Sequence, residues 1–254
     1  MSVLILGILV ASGWSFLQAI FPSHFHNTSP TLGAVMHWFS KAPPVTLADE
    51  IPTLENFAAK SHGSRVVLEL TSPPKAGLLS SLFRTPAHGE ESRKWAESVL
   101  EDESNREGDC WEILDTKAQL GIRLHSIIHP TSVTIHHLLV PAENKLRAPR
   151  QMVIWGVVEN QRIASKIEAF QHLADQHLAG VSNRPLLSPS NIHHTPLASF
   201  EYNISSTPTQ TFDISPHIRF SGADFGVVVL EIVSNWGGSS ICLYGVEVHG
   251  ELST

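Results

Sequence analysis

The sequence predicts an all-β fold, a jelly-roll-like β-sandwich preceded by short helical segments, and three patterns support this prediction. Short apolar runs at 151–158 and 227–233 are rich in β-branched residues, which is typical of buried strands. Between 120 and 124, apolar residues alternate with other residues, as in a half-buried strand. Turn residues separate these runs, and many short strands separated by turns favour a sandwich.

Composition restricts the possible functions. The chain has 254 residues, of which 42% are hydrophobic, and this fits one sizeable domain with an appendage. The formal charge of −7 argues against a nucleic-acid-binding protein, which needs a basic face. The chain contains 15 histidines, but no HExxH or CxxC spacing accompanies them, which favours surface and loop positions over a metal site.

The first 52 residues precede the predicted domain. Residues 3–21 carry no charge, and about 20 apolar residues are long enough to cross a bilayer as a helix. A membrane anchor in segment 1–21, a cleaved signal and a buried N-terminus all remain open. Residues 22–52 form a proline-rich linker. We therefore expect a single domain over 53–252.

Several boundaries within the domain can be predicted. Pro130 is expected to end one strand, and residues 163–178 contain a short helix. A Ser-, Pro- and His-rich stretch at 178–207 has the composition of an inserted, mobile loop. The strand at 227–233 and the alternating stretch at 241–248 are expected to pair as a closing hairpin, because a Gly-Gly-Ser-Ser turn joins them.

The C-terminal stretch carries a family resemblance. Ser-Asn-Trp-Gly at 234–237, followed by Cys-Leu-Tyr at 242–244 and Val-Glu-Val-His-Gly at 246–250, resembles the closing hairpin of SUN domains. Upstream similarities occur at 108–111, 122–124 and 128–137. The resemblance covers roughly 54–250 in the correct order. It implies a β-sandwich of the luminal modules that bind KASH peptides across the nuclear envelope.

The resemblance also implies a peptide site. KASH tails are extended peptides that add to a sheet edge beneath a lid, here residues 65–98, and end in a free carboxylate. A strand is expected at the start of this lid segment. The matching pocket positions are His137 and Tyr244. Two positions depart from the animal pattern, with Arg147 in place of serine and Ser240 in place of tyrosine. Arg147 either pairs with the carboxylate or points to water.

Two further sites follow from the resemblance. Composition alone leaves Cys110 and Cys242 either paired in an oxidising lumen or free in the cytosol, whereas the family joins them in a disulfide within the domain. The family's cation loop, which holds a monovalent ion such as K⁺ or Na⁺ mostly through backbone oxygens, matches positions including Val99, Asp102 and Asp109. A solvated acidic loop is the competing interpretation.

The expected role is binding, with no catalysis. The sequence contains no GxSxG motif, and no glycosidase carboxylate pair can be singled out. The resemblance implies a KASH tail as partner, a homotrimer, membrane attachment through the N-terminal helix and residence at the nuclear envelope. No heptads are present to support a trimeric stalk. The alternative is a glycan- or glycoprotein-binding module of the endoplasmic reticulum lumen, in which Trp111, Trp155 and Trp236 stack on sugars unless they are core residues.

Overall fold

The structure is a computed structural model, and it describes four parts of the chain: 54–73, 94–101, 110–139 and 142–253. The expected anchor segment 1–21, the linker 22–52 and residues 74–93 of the expected lid lie outside the described residues. In the four described parts, no helix combines the length and the apolar character needed to cross a bilayer.

Antiparallel strands dominate the described residues. The strands are β1 (Arg65–Val66), β2 (Trp111–Ile113), β3 (Ala118–His136), β4 (Gln151–Val158), β5 (His193–Glu201), β6 (Thr209–Asp213), β7 (Phe225–Ile232), β8 (Ile241–Leu243) and β9 (Gly245–Leu252). The helices are α1 (Ala142–Arg147), α2 (Gln161–Ala169) and α3 (Pro216–Ser221). This content confirms the predicted all-β sandwich with short helical segments. The segments expected at the N-terminal end are the 3-10 turns Lys60–His62 and Leu68–Leu70, while α1 to α3 lie between strands.

Strand β3 links the two layers of the sandwich. Its first half pairs with β1 and β7, and β7 continues the sheet through β4 to β5. Its second half pairs with β6 and β9. The register against β7 shifts between Arg123 and Ile128, where the strand passes from one layer to the other.

The prediction that Pro130 ends a strand was wrong. Pro130 lies inside β3, and the register against β9 shifts between Pro130 and Ser132. Because proline lacks an N–H group, a strand accommodates it most easily at such an irregularity. The two strands expected on either side of Pro130 are therefore one.

The main core fills the space between the layers. Alternate side chains of β7 and the first half of β3 point into it from one layer, and those of β9 and the second half of β3 point into it from the other. The central buried residues are Leu120, Ile122, Val133, Ile135, Val228, Leu230, Val246 and Val248. Burial of apolar surface on this scale is the dominant contribution to folding.

The predicted inserted loop at 178–207 was wrong, since β5 (His193–Glu201) lies inside this range and pairs with β4. Residues 181–192, called the covering segment below, pack on the outer face of the first layer. Val181 and Ile192 contact the cluster that contains Trp155 and Val229. The covering segment therefore buries the second face of this layer, which explains why four consecutive residues of β7, 227–230, are apolar.

Hydrogen bonds from the sheet fix the covering segment. Gln119 is fully buried, and its Nε2 donates to the carbonyls of Leu187 at 2.8 Å and Leu70 at 2.9 Å. Its Oε1 accepts from the Leu187 N–H at 2.7 Å. Beside it, Glu231 accepts from the Leu186 N–H at 3.1 Å, and burial raises the pKa of the Glu231 carboxyl. A Ser- and Pro-rich stretch is thus held by two side chains of the sheet.

Two shorter predictions also need correction. The strand expected at the start of the lid segment is limited to Arg65–Val66, and Leu68–Leu70 form a 3-10 turn. This turn lies so close to β3 that a Cβ on Gly121 would stand 2.5 Å from the Leu70 Cβ. The helix expected within 163–178 ends at Ala169 and is followed by 3-10 turns.

The predicted closing hairpin was wrong in its pairing. Strand β7 pairs with β3 and β4, β8 pairs with β2, and β9 pairs with β3. The connecting turn explains the difference. Asn235 Nδ2 donates to the carbonyls of Gly238 at 2.8 Å and Ser240 at 2.9 Å. The Gly238 N–H then donates to the Leu146 carbonyl at 2.8 Å, so the turn docks on α1 and leads the chain away from β7.

Candidate functional site

A disulfide closes one end of the sandwich. Cys110 and Cys242 are bonded, with their Cα atoms 5.4 Å apart across a sequence separation of 132 residues. This confirms the predicted bond. Cys110 immediately precedes β2 and Cys242 lies in β8, and these two strands pair with Glu112 opposite Cys242. The bond therefore joins two distant segments next to the expected peptide site.

His137 and Tyr244 form a buried pair beside the disulfide. Their ring centroids are 5.2 Å apart in an edge-to-face arrangement. Asn144 of α1 connects them, because its carbonyl accepts from His137 Nε2 at 2.9 Å and its Nδ2 donates to the Tyr244 hydroxyl at 3.1 Å. The two rings therefore hold α1 against the end of β3.

The environment of His137 favours the neutral imidazole. Burial lowers the pKa of His137, the backbone groups of Asn144 and Cys242 act in the opposite direction, and the positive charge of Arg147 lowers the pKa further. Burial has the largest effect of these. At neutral pH the ring is therefore an uncharged hydrogen-bonding element of the fold.

Arg147 and Ser240 also meet in the structure. Arg147 ends α1, and its Nε donates to Ser240 Oγ at 3.0 Å. Its Nη2 lies 2.6 Å from Glu112 Oε1 of β2. Three elements that are distant in sequence thus converge on one guanidinium group.

The four expected peptide-binding residues differ in their accessibility. His137 and Tyr244 are each 1% exposed and Ser240 is 4% exposed, whereas the Arg147 side chain is 29% exposed. A ligand at this surface would reach Arg147 first, while the other three side chains support the surface from below. The nearby chain segments also carry exposed apolar side chains, Leu114 next to β2 and Leu146 on α1.

The expected cation loop falls largely outside the described residues. Val99 is buried within the 3-10 turn Ser98–Leu100, while Asp102 and Asp109 are not described. The monovalent cation therefore stays a prediction. Within the described ranges, no group of three or more His, Cys, Asp or Glu side chains is placed to hold a metal ion.

The tryptophans considered for sugar stacking do not provide a platform. Trp111 and Trp155 are buried core residues. The Trp236 ring is covered by the Arg150 guanidinium, which lies 4.5 Å from the ring centroid. Its Nε1 donates to the Tyr202 carbonyl at 3.1 Å. The core interpretation is correct for Trp111 and Trp155.

Two site residues were missed by sequence reasoning, Asn144 and Glu112. Asn144 lies in a short polar helix whose packing partner is not visible in the sequence. Glu112 alternates with buried residues in β2, which predicts an exposed side chain without indicating its partner. Arg147 was expected to pair with a ligand carboxylate or to point to water, and no local pattern in the sequence indicates Glu112 as its partner.

The fold and the site together define a class, an antiparallel β-sandwich domain closed at one end by a disulfide. The family model described as "Sad1 / UNC-like C-terminal" matches residues 90–179 and 184–252. The chain therefore belongs to this family, the SUN-domain family.

Curated relatives agree with this assignment. SUN domain-containing protein 2 of Mus musculus is 28% identical over 205 residues, covering 77% of this chain and 23% of the relative. SUN domain-containing protein 3 of Bos taurus is 25% identical over 209 residues, covering 80% of this chain and 49% of the relative. The nuclear migration and anchoring protein unc-84 of Caenorhabditis elegans is 24% identical over 150 residues, covering 57% of this chain and 10% of the relative. The chain thus spans less than half the length of each of these relatives.

Solved structures share weaker similarity. A putative chitobiase fragment from Bacteroides thetaiotaomicron has a TM-score of 0.47 at 9% identity, covering 82% of this chain and 98% of the fragment. The family 32 carbohydrate-binding module of Streptococcus pneumoniae EndoD has a TM-score of 0.45 at 10% identity, covering 78% of this chain and 100% of the module. We draw no functional conclusion from similarity at this level.

Proposed function

We propose that the domain is a non-catalytic SUN module that captures the C-terminal tail of a KASH-type membrane protein. In this proposal the tail lies as an extended peptide over the disulfide-closed end, and its terminal carboxylate is received by Arg147. The capture takes place in the perinuclear space and connects the inner and outer nuclear membranes.

One observation carries this proposal. Four positions that the family resemblance assigns to the peptide pocket, distant in sequence, converge around α1 and the Cys110–Cys242 bond. Family membership alone would support a shared fold. The convergence adds a reachable cation, Arg147, and the chain segments that meet there carry the exposed apolar side chains Leu114, two residues after Glu112, and Leu146, next to Arg147 in sequence. An extended peptide with an apolar segment and a free C-terminus has the complementary chemistry.

The buried residues have a supporting role in this proposal. Because His137 and Tyr244 are held by Asn144, they fix the position of α1 and hence of Arg147. A positioned guanidinium loses less side-chain entropy when it binds a carboxylate. This assignment differs from the expected direct contacts of His137 and Tyr244 with the tail.

The remaining expectations belong to the same proposal. A homotrimer, attachment to the inner nuclear membrane through segment 1–21 and a monovalent cation at the loop before Cys110 would complete the module. None of these is required for the recognition of a carboxylate by Arg147, so each can be tested separately.

The direct test is calorimetric titration of the full chain with synthetic KASH tails that carry either a free or an amidated C-terminus. We expect the free-acid peptide to bind and the amide to bind about ten-fold more weakly, because the charge-assisted contact is lost. Arg147→Gln removes this difference between the peptides. The matched control is Arg150→Gln, which deletes a guanidinium outside the site. Absence of binding to both peptides contradicts the proposal.

Light scattering on the same samples tests the oligomer. A trimer is the expected state when the free-acid peptide is bound. A monomer that binds the free-acid peptide with the predicted selectivity would contradict the trimer and leave the Arg147 contact supported.

A further inference from the structure

One guanidinium edge of Arg147 that could receive a carboxylate is already occupied. Nε and Nη2 lie on one of the two edges of the planar group that can bind a carboxylate through two parallel hydrogen bonds. Here Nε donates to Ser240 Oγ at 3.0 Å, and Nη2 lies 2.6 Å from Glu112 Oε1. One carboxylate oxygen and one hydroxyl oxygen of the protein thus take the positions of the two oxygens of a ligand carboxylate.

We propose that Glu112 is an internal competitor for Arg147, so that a partner's terminal carboxylate binds the Nε–Nη2 edge only when the Glu112 carboxylate is released. This inference rests on the proposed function and assigns a residue that sets the selectivity of the site. The Ser240 hydroxyl gives up its bond from Nε in the same exchange, and because a hydroxyl also donates, it can then hydrogen-bond to the ligand carboxylate.

The exposure of the pair makes the exchange feasible. The Glu112 side chain is 45% exposed and the Arg147 side chain 29% exposed, so water solvates the released carboxylate. Such pairs are weak enough to be exchanged by a ligand, unlike buried pairs, whose separation leaves an uncompensated charge. The occupied state lowers the fraction of binding-competent molecules, and the apparent affinity for the ligand falls by the same factor.

Removal of the Glu112 charge should affect free-acid and amidated peptides differently. Removal of the Glu112 charge strengthens binding of a free-acid peptide, because the guanidinium is no longer shared and a nearby negative charge is gone. It leaves binding of an amidated peptide unchanged, because an amide does not compete for the same edge. A change in general packing would affect both peptides alike.

The test compares the full chain with Glu112→Gln, which keeps the shape of the side chain and removes its charge. We expect free-acid KASH tails to bind about two- to five-fold more tightly, the range that corresponds to an exposed ion pair, with no change for the amide. The matched control is Glu201→Gln, which removes the partner of Arg150 in a second exposed pair and changes the net charge equally. We expect no gain from the control.

A second probe separates this inference from the proposed function. Acetate is titrated against wild type and Glu112→Gln at constant ionic strength, and the Nε–H resonance of Arg147 is followed by NMR. A response that is stronger in Glu112→Gln supports the competition, even if no KASH tail binds and the proposed function fails. Equal acetate responses, equal gains for both peptides, or a gain in Glu201→Gln would overturn it.

Discussion

The covering segment and the disulfide-closed end are each attached to the sandwich through a polar side chain, but the two side chains differ in charge and in burial. Both attach a polar stretch to the sandwich, and both use a side-chain group with several donors or acceptors. At the covering segment the group is the neutral amide of Gln119, fully buried with its hydrogen bonds made to backbone atoms. At the closed end it is the charged Arg147, partly exposed and bound to other side chains.

This difference in charge and burial decides whether the side chain can exchange its partners. A buried amide whose partners are backbone atoms cannot exchange them without leaving polar groups unsatisfied, at about 1–3 kcal/mol each. An exposed ion pair contributes about 0.2–1 kcal/mol and is replaced readily by another charged group. The closed end can therefore present Arg147 as a group that exchanges its partner, because the disulfide and the His137–Tyr244 pair hold the surrounding backbone in place.

The largest expected effect is the loss of stability when the disulfide is removed. Replacement of Cys110 and Cys242 by serine opens a loop defined by a sequence separation of 132 residues. In the chain-entropy account this costs about 4 to 5 kcal/mol of unfolding free energy. Denaturant unfolding of the double variant, with disulfide-bonded wild type as reference and reduced wild type as a second disulfide-free form, measures the loss. A loss of unfolding free energy below about 1 kcal/mol would mean that the closed end keeps its structure without the disulfide.

The next effect concerns the covering segment. Gln119→Leu keeps the approximate volume but leaves the Leu187 N–H and two carbonyls without their partner, which we expect to cost about 3 kcal/mol. Hydrogen exchange should show the earliest loss of protection at Leu186 and Leu187. Gln151→Leu on an exposed position of β4 is the control, with an expected change within about 0.5 kcal/mol. Equal effects of the two substitutions would contradict the role of Gln119.

The smallest effect is a difference in pH response between the two regions. Burial lowers the pKa of His137 below the ordinary histidine value of 6.5. The unfolded chain therefore binds more protons just below pH 6.5, and stability falls as pH drops through this region. Burial raises the pKa of Glu231, so its contribution has the opposite sign and favours the folded state as pH falls toward 4.5.

Single variants separate these two contributions. Between pH 7.5 and 4.5, His137→Gln should flatten the decline in unfolding free energy, while Glu231→Gln should steepen it toward the acidic end of this range. Burial also lowers the pKa of His194 and His217, so part of the decline remains in His137→Gln. Denaturant unfolding across this range measures both slopes. A variant whose slope equals that of the wild type would contradict the assignment for that residue.

Local patterns predicted the strands better than their partners. The run at 151–158 forms β4 with the expected bounds, and the run at 227–233 overlaps β7. The closing hairpin was wrong because strand pairing depends on where the turn docks, and Gly238 docks on α1 through a contact that no local pattern encodes. The covering segment was missed because its Ser and Pro content is typical of loops, while its attachment depends on Gln119 and Glu231 elsewhere in the chain.

At the candidate site, too, some residues could be predicted from the sequence and others could not. The disulfide and the positions around Arg147 were accessible through the family resemblance. Asn144 and Glu112 were not, because their roles arise only when α1, β2 and β8 come together. Burial of His137 and Tyr244 was likewise invisible in the sequence, and it changes their expected role from contact to support.

Strand β3 has a consequence for how the domain opens. Because Ala118–His136 is a member of both layers, neither layer can lose its pairing to β3 without exposing the apolar face of the other. We therefore expect the amides of the whole strand to become accessible to solvent deuterons in a single cooperative event. A pulling force applied to one layer would then be shared by the other through a continuous backbone.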